Sequence, residues 1–208
     1  MGWTGYARTP RDPAAEVARL CTFETDSRKG APVKIVKRGS IFYAAVRTTV
    51  TAPDGAPRTY QMDKDGAYVF GAVFLTRQDR GEWLYKDMDE GMGPYECGAP
   101  VSILDLLSPT TNESALCWRK RCRARAALQS RKVAEGDVIR FAEPLTFTDG
   151  SRRDTFRVAI DGFPGCRKRT VFECPETGAR YRISAFKTRA WDIVSRGQTD
   201  AGAGEAAT

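Results

Sequence analysis

The sequence predicts an α+β chain in two parts. Residues 1–132 are expected to form an N-terminal helix plus an antiparallel sheet closed by a basic helix, residues 136–196 a small SH3-like or OB-like β-barrel, and residues 197–208 a disordered tail. Three observations carry this expectation. A short stretch of helical spacing precedes runs rich in β-branched and aromatic residues, one long arginine-rich run then has helical periodicity, and everything after Gly136 alternates at strand period between turn signals.

Taken in order, the stretch after Pro13 puts Val17, Leu20 and Cys21 at i, i+3 and i+4, which is one face of a helix. The charged segment 26–32 reads as a turn leading into residues 33–52, one or two strands. Asp54-Gly55 marks the next turn. Residues 67–78 read as a strand, 78–81 as a polar turn and 82–90 as a further strand. Gly and Pro within 91–100 end that strand, and Pro100 suits the start of a short helix that Ser108-Pro109 breaks.

The next helix starts near Asn112 or Ser114. At 100° per residue, Ala115, Trp118, Cys122 and Ala126 make one apolar stripe, with Arg119, Lys120, Arg123 and Arg131 on the opposite half. The stripe is expected to dock and the basic half to face outwards. Beyond Gly136, strands are expected near 137–148, 153–160, 169–175, 179–184 and 191–194. Five strands this short cannot bury two faces as a flat sheet, so a closed or half-open barrel is favoured.

Charge is distributed unevenly. Residues 1–112 hold fourteen Lys/Arg against fourteen Asp/Glu, and residues 113–208 hold nineteen against twelve, so the net +7 belongs to the later segment. Arg119, Lys120, Arg121, Arg123, Arg125, Arg131 and Lys132 face a single acid there, Glu113. A patch so focused attracts polyanions. The expected partner is DNA or RNA, or an acidic host protein, and not a membrane. No run of 18 uncharged apolar residues occurs and the first residues lack the apolar core of a signal peptide, so a cytoplasmic location is expected.

The chain contains no histidine, which removes Ser-His-Asp and Cys-His catalysis, His-bound zinc and imidazole acid–base chemistry. Its six cysteines (Cys21, Cys97, Cys117, Cys122, Cys166, Cys174) lack the spacing of zinc knuckles and read mainly as reduced thiols, with a dispersed Cys-only zinc site as the alternative. No cofactor and no metal are expected.

Two clusters bear on chemistry. In 86–94 the strand pattern puts Asp87 and Asp89 on one face with Trp83 and Tyr85, and Lys86 and Glu90 on the other. Read as an enzyme, Asp87, Asp89 and Glu90 would be the catalytic set, two carboxylates sharing Mg²⁺ with a third ligand such as Glu96 or Asp105. Read as structure, they cap the following turn or pair with the basic helix, and that reading is preferred. Cys97, before the helix at Pro100, is a candidate reactive thiol with Lys86 or a carboxylate as base, against a buried or capping role.

The second cluster is the polyanion surface, Arg119, Lys120, Arg123 and Arg131 of the helix with Arg167, Lys168 and Arg169 of the barrel. Phe156, Tyr181, Phe186 and Trp191 interleave with the barrel's basic residues, and one of them is expected to be a surface platform for a base.

The opening Met1-Gly2-Trp3-Thr4, the strand Phe42–Val46, the block Lys86-Asp87-Met88-Asp89-Glu90-Gly91-Met92-Gly93-Pro94, the run Ser102–Ser108 and Trp118-Arg119-x-x-Cys122 together resemble an uncharacterised family of bacterial, phage and plasmid proteins. The resemblance covers residues 1–130 and implies a mobile-element setting, with no activity attached. The order helix, three strands, helix also resembles a double-stranded-RNA-binding domain in topology, without that family's loop and helix-start motifs. The functional expectation is a non-enzymatic nucleic-acid-binding accessory or anti-defence protein. The alternatives are an inhibitor docking its basic face on an acidic host protein, and a metal-dependent nuclease or other phosphate-directed enzyme.

Overall fold

The computed structural model describes residues 3–6, 9–148, 150–161 and 169–197, so Arg167, Lys168, Cys166, the opening Met1-Gly2 and the expected tail beyond Gly197 lie outside the described residues. The chain is α+β, mostly antiparallel, and divides into two compact units, Met1–Ala126 and Ala127–Thr208.

The first unit comprises β1 (Thr4–Tyr6), α1 (Pro13–Leu20), β2 (Phe23–Glu24), β3 (Arg28–Arg38), β4 (Ile41–Val50), β5 (Ala67–Asp79), β6 (Glu82–Asp89), α2 (Val101–Leu104) and most of α3 (Glu113–Ser130). Its six strands lie in the order β1-β6-β5-β4-β3-β2, all antiparallel. The central strand β4 is buried on both faces from Phe42 to Val46, and it therefore reads as an unbroken apolar run without alternation. Phe42, Ala44 and Val46 meet Val17 of α1 and Cys21 at its C-cap, while Tyr43 and Ala45 meet Ile103 and Leu104 of α2 and Trp118 and Cys122 of α3. Each large side chain buried this way contributes roughly 1.5–3 kcal/mol.

Helix starts follow local chemistry. Asp12 accepts from the N–H groups of Ala14 and Ala15 to open α1, and Asn112 Oδ1 accepts from Ala115 N at 3.0 Å to open α3. One expectation is corrected. The segment 26–32 is mostly strand, because β3 already begins at Arg28 and Pro32 falls at its bulge, where the missing N–H costs no ladder bond. Asp54-Gly55 turns the chain as expected, in a 3-10 turn over Pro53–Gly55. Gly55 is buried, with the position of a Cβ only 2.2 Å from the Ser27 carbonyl oxygen, and the chain continues from there as a loop to Gly66.

The second unit carries β7 (Val138–Thr146), β8 (Arg152–Asp161), β9 (Arg169–Glu173), β10 (Arg180–Tyr181) and β11 (Trp191–Ser195) in the antiparallel order β10-β9-β8-β7-β11, with a 3-10 turn at Phe186–Thr188 before the last strand. Ile139, Phe141, Phe156, Val158, Phe172 and Trp191 form its core, flanked by Tyr181 and Phe186. Of the four aromatics considered as a base platform, Phe156 and Trp191 are buried in this core, while Tyr181 and Phe186 are half-buried against it. Among the described residues no helix is long and apolar enough to cross a membrane.

Candidate functional site

The acidic block 86–94 separates its carboxylates by strand alternation. Asp87 and Asp89 lie on the α1 side of β6, and Glu90, one residue past the strand, turns to the other face and is fully buried. Arg119 of α3 meets it there: Nε donates to Oε2 at 2.6 Å and Nη2 to Oε1 at 2.7 Å, while Nη1 donates to the Ser108 carbonyl at 2.8 Å. Glu90 Oε1 also accepts from Gly71 N at 3.1 Å and from the Tyr60 hydroxyl at 3.2 Å. Gly71 also leaves room for the Trp118 ring, which a Cβ would meet at 3.1 Å, a tight contact. With both oxygens committed inside the protein, Glu90 has no place in an open metal site, and Arg119, 13% exposed, no place on a phosphate-binding face. The preferred reading of the block, acids that cap the following turn or pair with the basic helix, is met by Asp89 and Glu90; the alternative use of Glu90 as a metal ligand and the placing of Arg119 on the polyanion surface are corrected for one reason, that each is the other's counter-ion. Among the described residues no three Cys, Asp or Glu side chains come together as a metal site.

What the block does build is a cavity wall. Asp89 Oδ1 accepts from Met92 N at 3.0 Å, which fixes the 3-10 turn Glu90–Met92. Gly91, Met92 and Asp89 form one side of a cavity of about 460 Å³. Tyr60, Tyr68, Phe70 and Phe23 supply aromatic surface, Tyr60 and Tyr68 being stacked at 5.2 Å between centroids. Arg28 and Arg58 supply positive charge, and neither guanidinium meets a carboxylate among the described residues. The β4–β5 loop that brings Arg58 and Tyr60 is held against the segment before α3, where Thr111 N donates to Thr59 O at 2.8 Å and Gln61 N to Pro109 O at 2.9 Å. Burial, then the negative charges of Glu90 and Asp89, push the Tyr60 hydroxyl well above its ordinary range, so it stays a donor.

The remaining basic candidates fall into two groups. On α3, Lys120, Arg121, Arg123 and Arg125 are exposed. Arg121 donates to the Pro94 carbonyl at 2.6 Å and Arg123 pairs with Asp105 at 3.0 Å. Arg131 is engaged locally, donating to the Trp191 carbonyl, lying 5.3 Å from the Trp191 ring centre and approaching Asp192 at 3.6 Å. In the second unit Arg169 is exposed and opposite Asp161 in register.

A second cavity, about 750 Å³, lies in the second unit, with Arg140, Arg152, Arg153 and Cys174 among its lining residues. Arg153 Nη1 donates to Cys174 Sγ at 2.8 Å. The Thr177 hydroxyl first of all, working against burial, then the N–H groups of Thr177 and Glu176 and the Arg153 guanidinium, hold the Cys174 thiol below its ordinary range.

One family model matches, a domain of unknown function (DUF6927), over residues 109–186. No curated protein and no solved structure matches the chain. The matched segment runs from just before α3 to the start of the last 3-10 turn. It thus takes in the basic helix and Cys174, and meets the resemblance over residues 1–130 only in 109–130.

The helix after Cys97 is a single turn, too short to supply the helix-terminus field considered from sequence, and the Cys97 Sγ donates to the Tyr95 carbonyl at 3.1 Å. Burial pushes Cys122, its neighbour in the same core, up to about 12, and Cys21 likewise to about 12 with Asp87 adding to the effect. Arg28, Arg58, Tyr60 and Tyr68 carry no signal in the sequence because they are scattered along the chain and share no local period. Cys174 does carry one: Cys-Pro-Glu-Thr-Gly is a turn whose N–H groups can gather on the sulfur.

Proposed function

We propose that the protein binds nucleic acid chiefly through phosphates and catalyses no reaction, serving as an accessory or anti-defence factor of a mobile element. The observation that carries this is the solvent half of α3, where Lys120, Arg121, Arg123 and Arg125 stand exposed and the ion pair of Arg123 with Asp105 is at the surface. A surface pair of that kind is worth about 0–1 kcal/mol, so phosphate displaces it at little cost. The strand order of the second unit and the 3-10 turn before its last strand support the SH3-like reading, a small barrel whose exposed Arg140, Arg157 and Arg169 add phosphate contacts of their own. The mobile-element setting rests on the resemblance of residues 1–130, and the cytoplasm is its natural compartment.

The test is a gel shift with single- and double-stranded DNA and RNA at low salt. Wild-type protein is expected to shift them with an affinity that falls steeply as salt rises. The variant Lys120→Glu/Arg123→Glu/Arg125→Glu is expected to lose binding across all sequences while keeping its melting temperature within a few degrees. Absence of any wild-type shift overturns the reading. Capture of a host protein that survives nuclease treatment would instead assign the basic face to an acidic protein partner.

A further inference from the structure

We propose that the cavity between the β4–β5 loop and the Glu90–Met92 turn is a binding site for a nucleoside phosphate, either free or as the 5′-terminal residue of a strand. This site lies off the exposed half of α3 and does not depend on the nucleic-acid reading above.

Three properties of the cavity select that ligand together. Tyr60, Tyr68 and Phe70 give a wall of aromatic rings, and Phe23 adds a fourth, so the occupant presents a flat π-surface of its own. Arg28 and Arg58, with no carboxylate to neutralise them, call for an anion, and the guanidinium fork matches a phosphate best. Asp89 is the sole acidic lining residue of this cavity, and Met92 N occupies its Oδ1, leaving Oδ2 to accept from the ring N–H groups of a base. A base that carries N–H donors and a phosphate that carries the charge answer all three. Simple phosphate leaves the aromatic wall unused, and an apolar ring leaves both arginines unanswered.

The cavity is also built in advance. Tyr60 is fixed through its hydroxyl to Glu90, Glu90 is clamped by Arg119, and the turn bearing Met92 is capped by Asp89. A wall already rigid costs little entropy when the ligand arrives. A volume of about 460 Å³ suits a mononucleotide. A neighbouring cavity of about 330 Å³ shares Phe23, Phe70, Asp89 and Met92 and adds the apolar side chains of Phe74 and Val46, extending the room on the base's side.

The experiment is calorimetric titration of the full chain with GMP, guanosine and inorganic phosphate. GMP is expected to bind at least about tenfold more tightly than either fragment, because each fragment answers one part of the cavity. Arg58→Ala and Arg28→Ala change a loop residue and a half-buried strand residue, and each is expected to weaken GMP about tenfold while leaving guanosine unchanged. GMP binding no tighter than phosphate, or undiminished in both variants, overturns the proposal. In the folded Lys120→Glu/Arg123→Glu/Arg125→Glu variant GMP binding is expected to persist, so failure of one site is read separately from failure of the other. Displacement of GMP by a 5′-phosphorylated but not a 5′-hydroxyl oligonucleotide identifies the strand end as the source, and displacement by neither identifies the free nucleotide.

Discussion

At the scale of single residues, Glu90 links fold and cavity. Among the described residues it is the one fully buried carboxylate of the first unit, and its donors come from three segments: Arg119 on α3 through two nitrogens, Gly71 on β5 and Tyr60 on the loop. Removing one side of such a pair strands a charge in a medium of low polarity. Arg119→Met is therefore expected to lower stability by about 3–5 kcal/mol, and Glu90→Leu added to it to restore much of the loss, since an apolar pair needs no counter-charge. Urea denaturation of the two variants against wild type checks this. A loss confined to a few tenths of a kcal/mol would mean that the pair is loose and solvated. Splitting the helix wheel into halves puts Arg119 on the outer surface. At 100° per residue it falls about 60° from Cys122, on the margin of the apolar stripe, where a partner in the core decides which way the side chain turns.

At the scale of elements, Asp137 joins the entrance of β7 to the exit of β11. Its carboxylate accepts from Ala134 N at 2.8 Å, from Gly197 N at 3.0 Å and from Arg196 at 3.1 Å, so one side chain holds the first and last strands of the second sheet together. Burial by itself raises the carboxyl, but the two N–H groups and the guanidinium outweigh it and hold Asp137 below the ordinary Asp value. The sign follows from linkage: a group with a lowered folded pKa stabilises fully above its unfolded pKa and loses that contribution as pH falls through the folded one. Stability of the second unit is therefore expected to decline from about pH 4 downward. Asp137→Asn is expected to be less stable than wild type at pH 7 and to converge on it in acid. Denaturation midpoints from pH 7 to pH 2 measure this, and parallel curves for the two proteins would refute it. The elements themselves were largely legible, because α1, β4, β5, β6, α3 and the five later strands each declare a local period or cap. What local pattern missed was β1, a three-residue edge strand that exists through its pairing with β6, and the strand character of 28–32, which depends on β4 lying alongside.

At the scale of the whole molecule, among the described residues the first unit's cores lie on the two faces of its sheet and the second unit has a core of its own. Phe156→Ala, which empties the centre of the second core, is expected to cost about 3–5 kcal/mol there and to lower one calorimetric transition while the other stays in place. A single transition that moves as a whole would show that the units unfold as one.

The sequence by itself determined the α+β class, most element positions, the concentration of positive charge after residue 112 and the exclusion of histidine chemistry, because composition and period are properties of neighbours along the chain. It also singled out the 86–94 block. Only the tertiary structure decided what that block does. Opposite faces of β6 send Asp89 to a cavity and Glu90 to the core, and the partners that give them meaning, Arg119, Tyr60, Arg28 and Arg58, arrive from segments distant along the chain. A buried charge chooses its partner by distance in space, and no local pattern carries that distance.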